Sequence, residues 1–207
     1  GKATALDCSE ERGHLLVEPL PTDKASLVAI HNATVMTANG QVHTPGYLVF
    51  DDRIQAVGAG SLPAEWKKAH VIDGKGHVVT PGLIDTHSHL GVYATPGTRA
   101  HSDGNEASRP NTAGVWAEHS VWPQDPGLEL AIAGGITTLH ILPGSANLIG
   151  GRGVTLHMVP QLGSRAMRFP GAPDTLKMAC GENPKRVYGQ RKSAPSTRMG
   201  NVHGQRQ

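Results

Sequence analysis

The chain has 207 residues, enough for one large domain or one and a half ordinary ones. Its formal charge is +2 with histidine neutral, which argues against a nucleic-acid partner or a polybasic membrane surface, and no apolar run reaches membrane-spanning length. Cys8 and Cys180 are the only cysteines, so a disulfide framework is excluded, though one bridge is not.

In chain order, residues 1–25 read as a polar, irregular arm. "SLVAIHNATVMTA" reads as two short β-runs broken at His31-Asn32, and "GYLVFDDRIQAVGAG" as a hairpin turning at Asp51-Asp52. "HVIDGKGHVVTPG" predicts a further β-pair around Asp73-Gly74. Residues 26–81 are therefore expected to form a small antiparallel sheet. "GLIDTHSHL" predicts a strand, followed by a long loop from Gly91 to about Gln124. "DPGLELAIAGG" carries a helix signature, with Asp125 at the N-cap, Pro126 at the first helical position and Gly134-Gly135 at the end. "GITTLHIL" (136–142) is β-branched and apolar, as a buried strand is. Strand, helix, strand in that order predicts a parallel pair. "DTLKMACGE" (174–182) reads as one more buried strand. The 26 glycines and 15 prolines predict many turns and few long helices.

Twelve histidines are more than packing needs. His87 and His89, in "PGLIDTHSHLGVY", are two apart. On an extended backbone such residues project from one face, and imidazole nitrogen suits zinc and similar divalent ions. A His-x-His pair alone is a weak signal. Its setting strengthens it, because it ends a strand, follows Pro-Gly and opens into a glycine-rich loop.

"VVTPGLIDTHSHLG" resembles the start of the barrel in the amidohydrolase superfamily, and "NATVMTANG", "GYLVFDDRIQAVG" and "VIDGKGHVVTPG" resemble the β-strands that precede it there. "GGITTLHILPGSANLIGGRGVTL" and "KMACGENPKRVYG" are similar to its imidazolonepropionase-like branch. The resemblance implies an α/β chain with a small β-sandwich part over 26–81 and the N-terminal half of a (β/α)₈ barrel over 82–207. It implies a metal-dependent hydrolase acting on a C–N bond of a small-molecule substrate, an amide, cyclic amide or dipeptide, with one or two zinc-like ions. His87 and His89 match the family's first ligand pair. Lys177 matches a lysine that CO₂ converts to a bridging carbamate, and Glu182 is the alternative bridge. The two differ in strand parity, so one of them is expected to face the metals.

Residues 82–207 are about half of the roughly 250 a barrel takes, so the resemblance places the remaining ligands and a general-base aspartate beyond residue 207. It also implies a missing C-terminal half as partner, with a homo-oligomer open at full length and export slightly favoured. The piece alone is expected to be inactive and aggregation-prone. A metal-free scaffold protein is the alternative reading. His140 reads as a core histidine, and His101, His119 and His157 as loop histidines. Trp116 and Trp122 read as loop packing, and Asp103, Glu106 and "ENPKR" as solvated charge. "GSANLIGGRG" lacks the Gly-Lys-Ser/Thr ending of a nucleotide loop.

Overall fold

Small apolar side chains alternate with polar ones from Ala33 onwards and set the face of the first strand. In the computed structural model, which describes residues 26–207, β1 (Val28–Met36) buries Ala33 and Val35 and leaves Met36 exposed. The chain divides into two units, one ending at Pro81 and the other running from Gly82 to Gln207. The 1–25 arm and Cys8 lie outside the described residues.

The first unit is one five-stranded mixed sheet. β2 (Val42–Phe50) pairs antiparallel with β1, and β3 (Ile54–Ala59) antiparallel with β2. The hairpin turns where expected: the Asp51 carboxylate accepts from the Arg53 backbone N–H at 2.8 Å and from the Gln55 amide at 3.0 Å. Two expectations are corrected. β1 is continuous through His31-Asn32, because a register shift absorbs Asn32 at φ +52° instead of ending the strand. β4 (His70–Asp73) and β5 (Val78–Val79) do not pair with each other. Both lie parallel to β1 along the same edge, so the sheet is mixed rather than antiparallel. One contact explains both corrections. The Asn32 amide donates to Asp73 Oδ1 at 2.8 Å, and the Lys75 backbone N–H donates to the same oxygen at 2.9 Å. The bulge in β1 thus faces the turn that carries the chain from β4 to β5.

The second unit is built on the parallel pair β6 (Leu83–Ser88) and β7 (Ile136–Ile141). α1 (Pro126–Ala133) connects them and starts as the sequence dictates, with the Asp125 carboxylate accepting from the Gly127 N–H at 2.9 Å. The same carboxylate, 1% exposed, also accepts from the N–H groups of Gly91 (2.9 Å) and Thr95 (3.0 Å). It therefore caps the helix and fastens the start of the long loop. β9 (Val154–His157) pairs antiparallel with β7, while β8 (Ile149–Arg152) and β10 (Leu176–Met178) form a separate antiparallel ribbon. Leu139, Ile141 and Leu156 form the centre of the core, with Leu128 of α1 and Val92, Val121 and Met167 around them.

The long loop is threaded against the strands by backbone hydrogen bonds, among them Thr112 N–H to Ile149 O (2.8 Å) and Arg152 N–H to Val115 O (2.8 Å). Gly151 allows this approach: its φ is +117°, and a Cβ there would stand 2.7 Å from Val115 O. The buried strand expected over 174–182 shrinks to three residues. Leu176 and Met178 are exposed because β10 has β8 on one side only. α2 (Glu182–Gln190) takes over the end of that stretch and α3 (Arg198–Arg206) closes the chain. The class is mixed α/β with several small sheets, and among the described residues the parallel pairing of a barrel extends over β6 and β7 alone. No helix among the described residues is long and apolar enough to cross a membrane.

Candidate metal centre

The last turn of the pleat in β6 presents His87, and His89 follows one residue past the strand end. Gly82 at the start of this run has no side chain for a steric reason, since a Cβ there would overlap Thr137 of β7. Asp85 steadies the run, its carboxylate accepting from the His87 backbone N–H at 3.0 Å. The two imidazole rings are neighbours, with centroids 5.4 Å apart and planes at 88°.

His89 is held in one orientation. Its Nδ1 lies 2.8 Å from Leu142 O, and a carbonyl can only accept, so in the neutral ring Nδ1 carries the proton and the Nε2 lone pair is open. This is the arrangement that orients metal-binding histidines generally. His87 Nε2 lies 3.2 Å from Lys177 Nζ. Burial lowers the Lys177 pKa, favouring its neutral amine. The Lys177 charge is in turn the main cause that lowers the His87 pKa, with burial and His89 adding to it and Asp85 opposing.

Lys177 is therefore brought to the histidine pair across 90 residues of sequence. Glu182 stands at the start of α2 rather than on a strand, so the parity argument that set it against Lys177 has no strand to act on. His140, read as a core histidine with one hydrogen bond, has two: Nδ1 to Thr155 Oγ1 (2.9 Å) and Nε2 to Thr175 Oγ1 (3.0 Å). Burial lowers its pKa, and His87 adds to the effect. The loop histidines lie elsewhere. His101 packs on Trp122 and His157 on Phe169, while His119 lines a cleft of about 520 Å³ with Asp103, Glu106 and Trp116. Trp116 also takes the Arg152 guanidinium over its ring at 4.7 Å. Sequence reasoning missed the Leu142 carbonyl and the threonine pair around His140. A backbone oxygen carries no residue signature, and Thr155 and Thr175 meet His140 only once the strands are folded.

Two imidazoles, one with an open nitrogen, and an amine biased towards neutrality suit a zinc-type ion in donor chemistry. Among the described residues no group of three histidine, cysteine, aspartate or glutamate side chains is arranged to hold an ion.

No protein-family model matches the chain. Individual proteins do. A crystal structure of an amidohydrolase from Thermotoga maritima superposes with a TM-score of 0.78 at 38% identity, covering 86% of this chain and 45% of that one. Amidohydrolase tasK of Hapsidospora irregularis is 41% identical over 143 residues, which are 64% of this chain and 14% of that protein. A dihydroorotase of Halalkalibacterium halodurans is 39% identical over 105 residues, covering 45% of this chain and 24% of the relative. This chain belongs to the amidohydrolase superfamily. It spans less than half the length of each of these relatives. Members of the superfamily are typically metal-dependent, and those matched here include amidohydrolases and deaminases acting on C–N bonds. The amidohydrolase assignment gives the His87, His89 and Lys177 cluster a context that its geometry alone does not carry.

Proposed function

We propose that the protein is a metal-dependent hydrolase of C–N bonds, of the imidazolonepropionase-like kind, acting on an amide or cyclic amide. The (β/α)₈ barrel, of which the β6–β7 pair would be the first part, belongs to the same proposal. His87 and His89 would hold a zinc-type ion, which when bound supplies an activated water and polarises a carbonyl. The observation that carries this reading is the Leu142 carbonyl 2.8 Å from His89 Nδ1, which fixes the ring and leaves Nε2 free on its other side. Lys177 in its carboxylated form would be the third donor. Its neutral amine attacks CO₂, a C–N bond forms, one proton leaves to solvent, and the anionic carbamate remains. Partial burial disfavours the ammonium and so favours that step.

Metal analysis of the protein at its natural length tests the reading. One or two divalent ions per chain are expected, with binding weakened at least roughly tenfold in His87→Ala and His89→Ala. ¹³C-bicarbonate should give a carbamate resonance that Lys177→Ala abolishes. A protein that binds no divalent ion and hydrolyses no amide would instead be a metal-free scaffold with the same fold.

A further inference from the structure

A cleft of about 260 Å³ opens beside His89. Three separate segments wall it: Tyr93 and Asn105 from the long loop, Ser145 from the connection after β7, and Asn183 and Arg186 from α2. The polar groups on one wall are fixed to each other. The Ala146 N–H donates to Asn105 Oδ1 at 3.0 Å, and the Asn105 amide donates to the Tyr93 hydroxyl. Gly144 makes that packing possible, because a Cβ there would overlap both side chains. On the other wall the Asn183 amide donates to Ser145 Oγ at 2.6 Å, leaving its Oδ1 to accept from Arg186 Nη2 at 3.5 Å.

The charge of this cleft is one-sided. Arg186 supplies a full positive charge, and no aspartate or glutamate lines the walls. Among the described residues no carboxylate pairs with Arg186. A guanidinium offers five donors in a planar fork that matches a carboxylate, and a single long contact to Asn183 leaves most of them open. An exposed helical arginine is ordinarily a solvated one. Here it shares a cleft with a histidine of the candidate metal centre and with side chains already tied in place.

We propose that this cleft is a carboxylate subsite. Arg186 receives a ligand carboxylate, Asn183 orients the guanidinium, and the rest of the ligand extends towards His89. As a statement about substrate it rests on the hydrolase reading and narrows it to C–N compounds that carry a free carboxylate, such as N-acyl amino acids. The binding itself is independent of turnover.

The test uses the metal-stripped protein at its natural length, labelled with ¹⁵N-arginine and titrated with N-acetylglycine or with its neutral analogue N-acetylglycinamide. The Arg186 Nε–H resonance, assigned by its loss in Arg186→Ala, should shift saturably with the acid and not with the amide. Arg186→Ala should weaken acid binding by roughly tenfold or more, and Arg186→Lys should recover part of it. Because Arg186 is exposed, both variants should keep the melting temperature of the parent. Equal binding of acid and amide, or unchanged acid affinity in Arg186→Ala, overturns the subsite. Restoring zinc and following deacetylation of N-acetylglycine reads the hydrolase reaction separately. Carboxylate binding without turnover on any amide counts against that reaction and leaves the subsite standing.

Discussion

The two units use charge in opposite ways. In the first, carboxylates sit at turns and are stabilised as anions: backbone Lys75 and the Asn32 amide lower the Asp73 pKa, and the Gln55 amide and backbone Arg53 lower that of Asp51. These contacts organise the chain and ask for no further ligand. In the second unit, Lys177, His87 and His140 have pKa values lowered by burial or by one another, so their charged forms are disfavoured. Basic groups held towards neutrality at a strand end are what a metal or CO₂ can use, and they stabilise nothing by themselves. The cores differ as well. Val28, Ala29, Ala33, Val35, Val49 and Ile72 make a thin layer of small side chains in the first unit, whereas the second centres on Leu139, Ile141 and Leu156, all fully buried.

That difference in cores sets the largest expected effect. Leu139→Ala removes three methylene equivalents from the centre of the second core and should cost about 2–5 kcal/mol. Val49→Ala, in an equally buried site with less side chain to lose, should cost about 2 kcal/mol. Hydrogen exchange at the amides of β7 and β9 against those of β1 and β2 measures each in its own sheet. Equal losses would show that the two cores carry the same weight. Next in size is Asp125→Ala. It strips a helix cap and leaves the buried N–H of Gly91 and the N–H of Thr95 without their acceptor, for roughly 2 kcal/mol. The denaturation midpoint should fall, and exchange should rise first at residues 91–95. A midpoint unchanged within error would mean that the long loop is held by its backbone contacts alone.

The same pair of regions shows which features a sequence reveals. α1 was legible because its cap, its proline and its terminal glycines are local chemistry, and β7 because an unbroken β-branched run has one use. The Asp51 turn was legible for the same reason. Features that depend on distant partners were not. His31-Asn32 reads as a break, and only the Asp73 carboxylate, 41 residues on, converts it into a bulge within one strand. β4 and β5 read as a hairpin because their turn residues favour one, yet the open edge of β1 takes both. α2 and α3 escaped notice because Pro184, Gly189, Gly200 and Gly204 interrupt them and they bury few apolar groups. At the site, the His87–His89 pair came from its His-x-His spacing and Lys177 from motif resemblance, while the Leu142 carbonyl and Arg186 became visible only when separate segments met in space.

The smallest effect concerns pH and bears on the charge contrast directly. A base whose pKa is lowered by folding binds its proton more readily in the unfolded chain, so stability rises with pH between the folded value and the ordinary one. For His87 and His140 the ordinary value is 6.5. The second unit should therefore weaken as pH falls through about 6.5, whereas the Asp51 and Asp73 contribution to the first is fully present above 3.8 and is lost only as pH falls below it. Amide exchange at pH 7 and pH 5, corrected for intrinsic rates and measured on metal-stripped protein, should show reduced protection in β7 and little change in β1. His87 is largely exposed, so solvent screening keeps the change modest. Lys177→Met isolates the cause. Removing the neighbouring charge should raise the His87 pKa towards 6.5, while His140, whose shift comes mainly from burial, should move less. Imidazole ¹⁵N titrations read both rings at once. A His87 pKa indifferent to Lys177→Met would mean that the 3.2 Å contact does not persist in solution, and the contrast between the two units would lose its sharpest element.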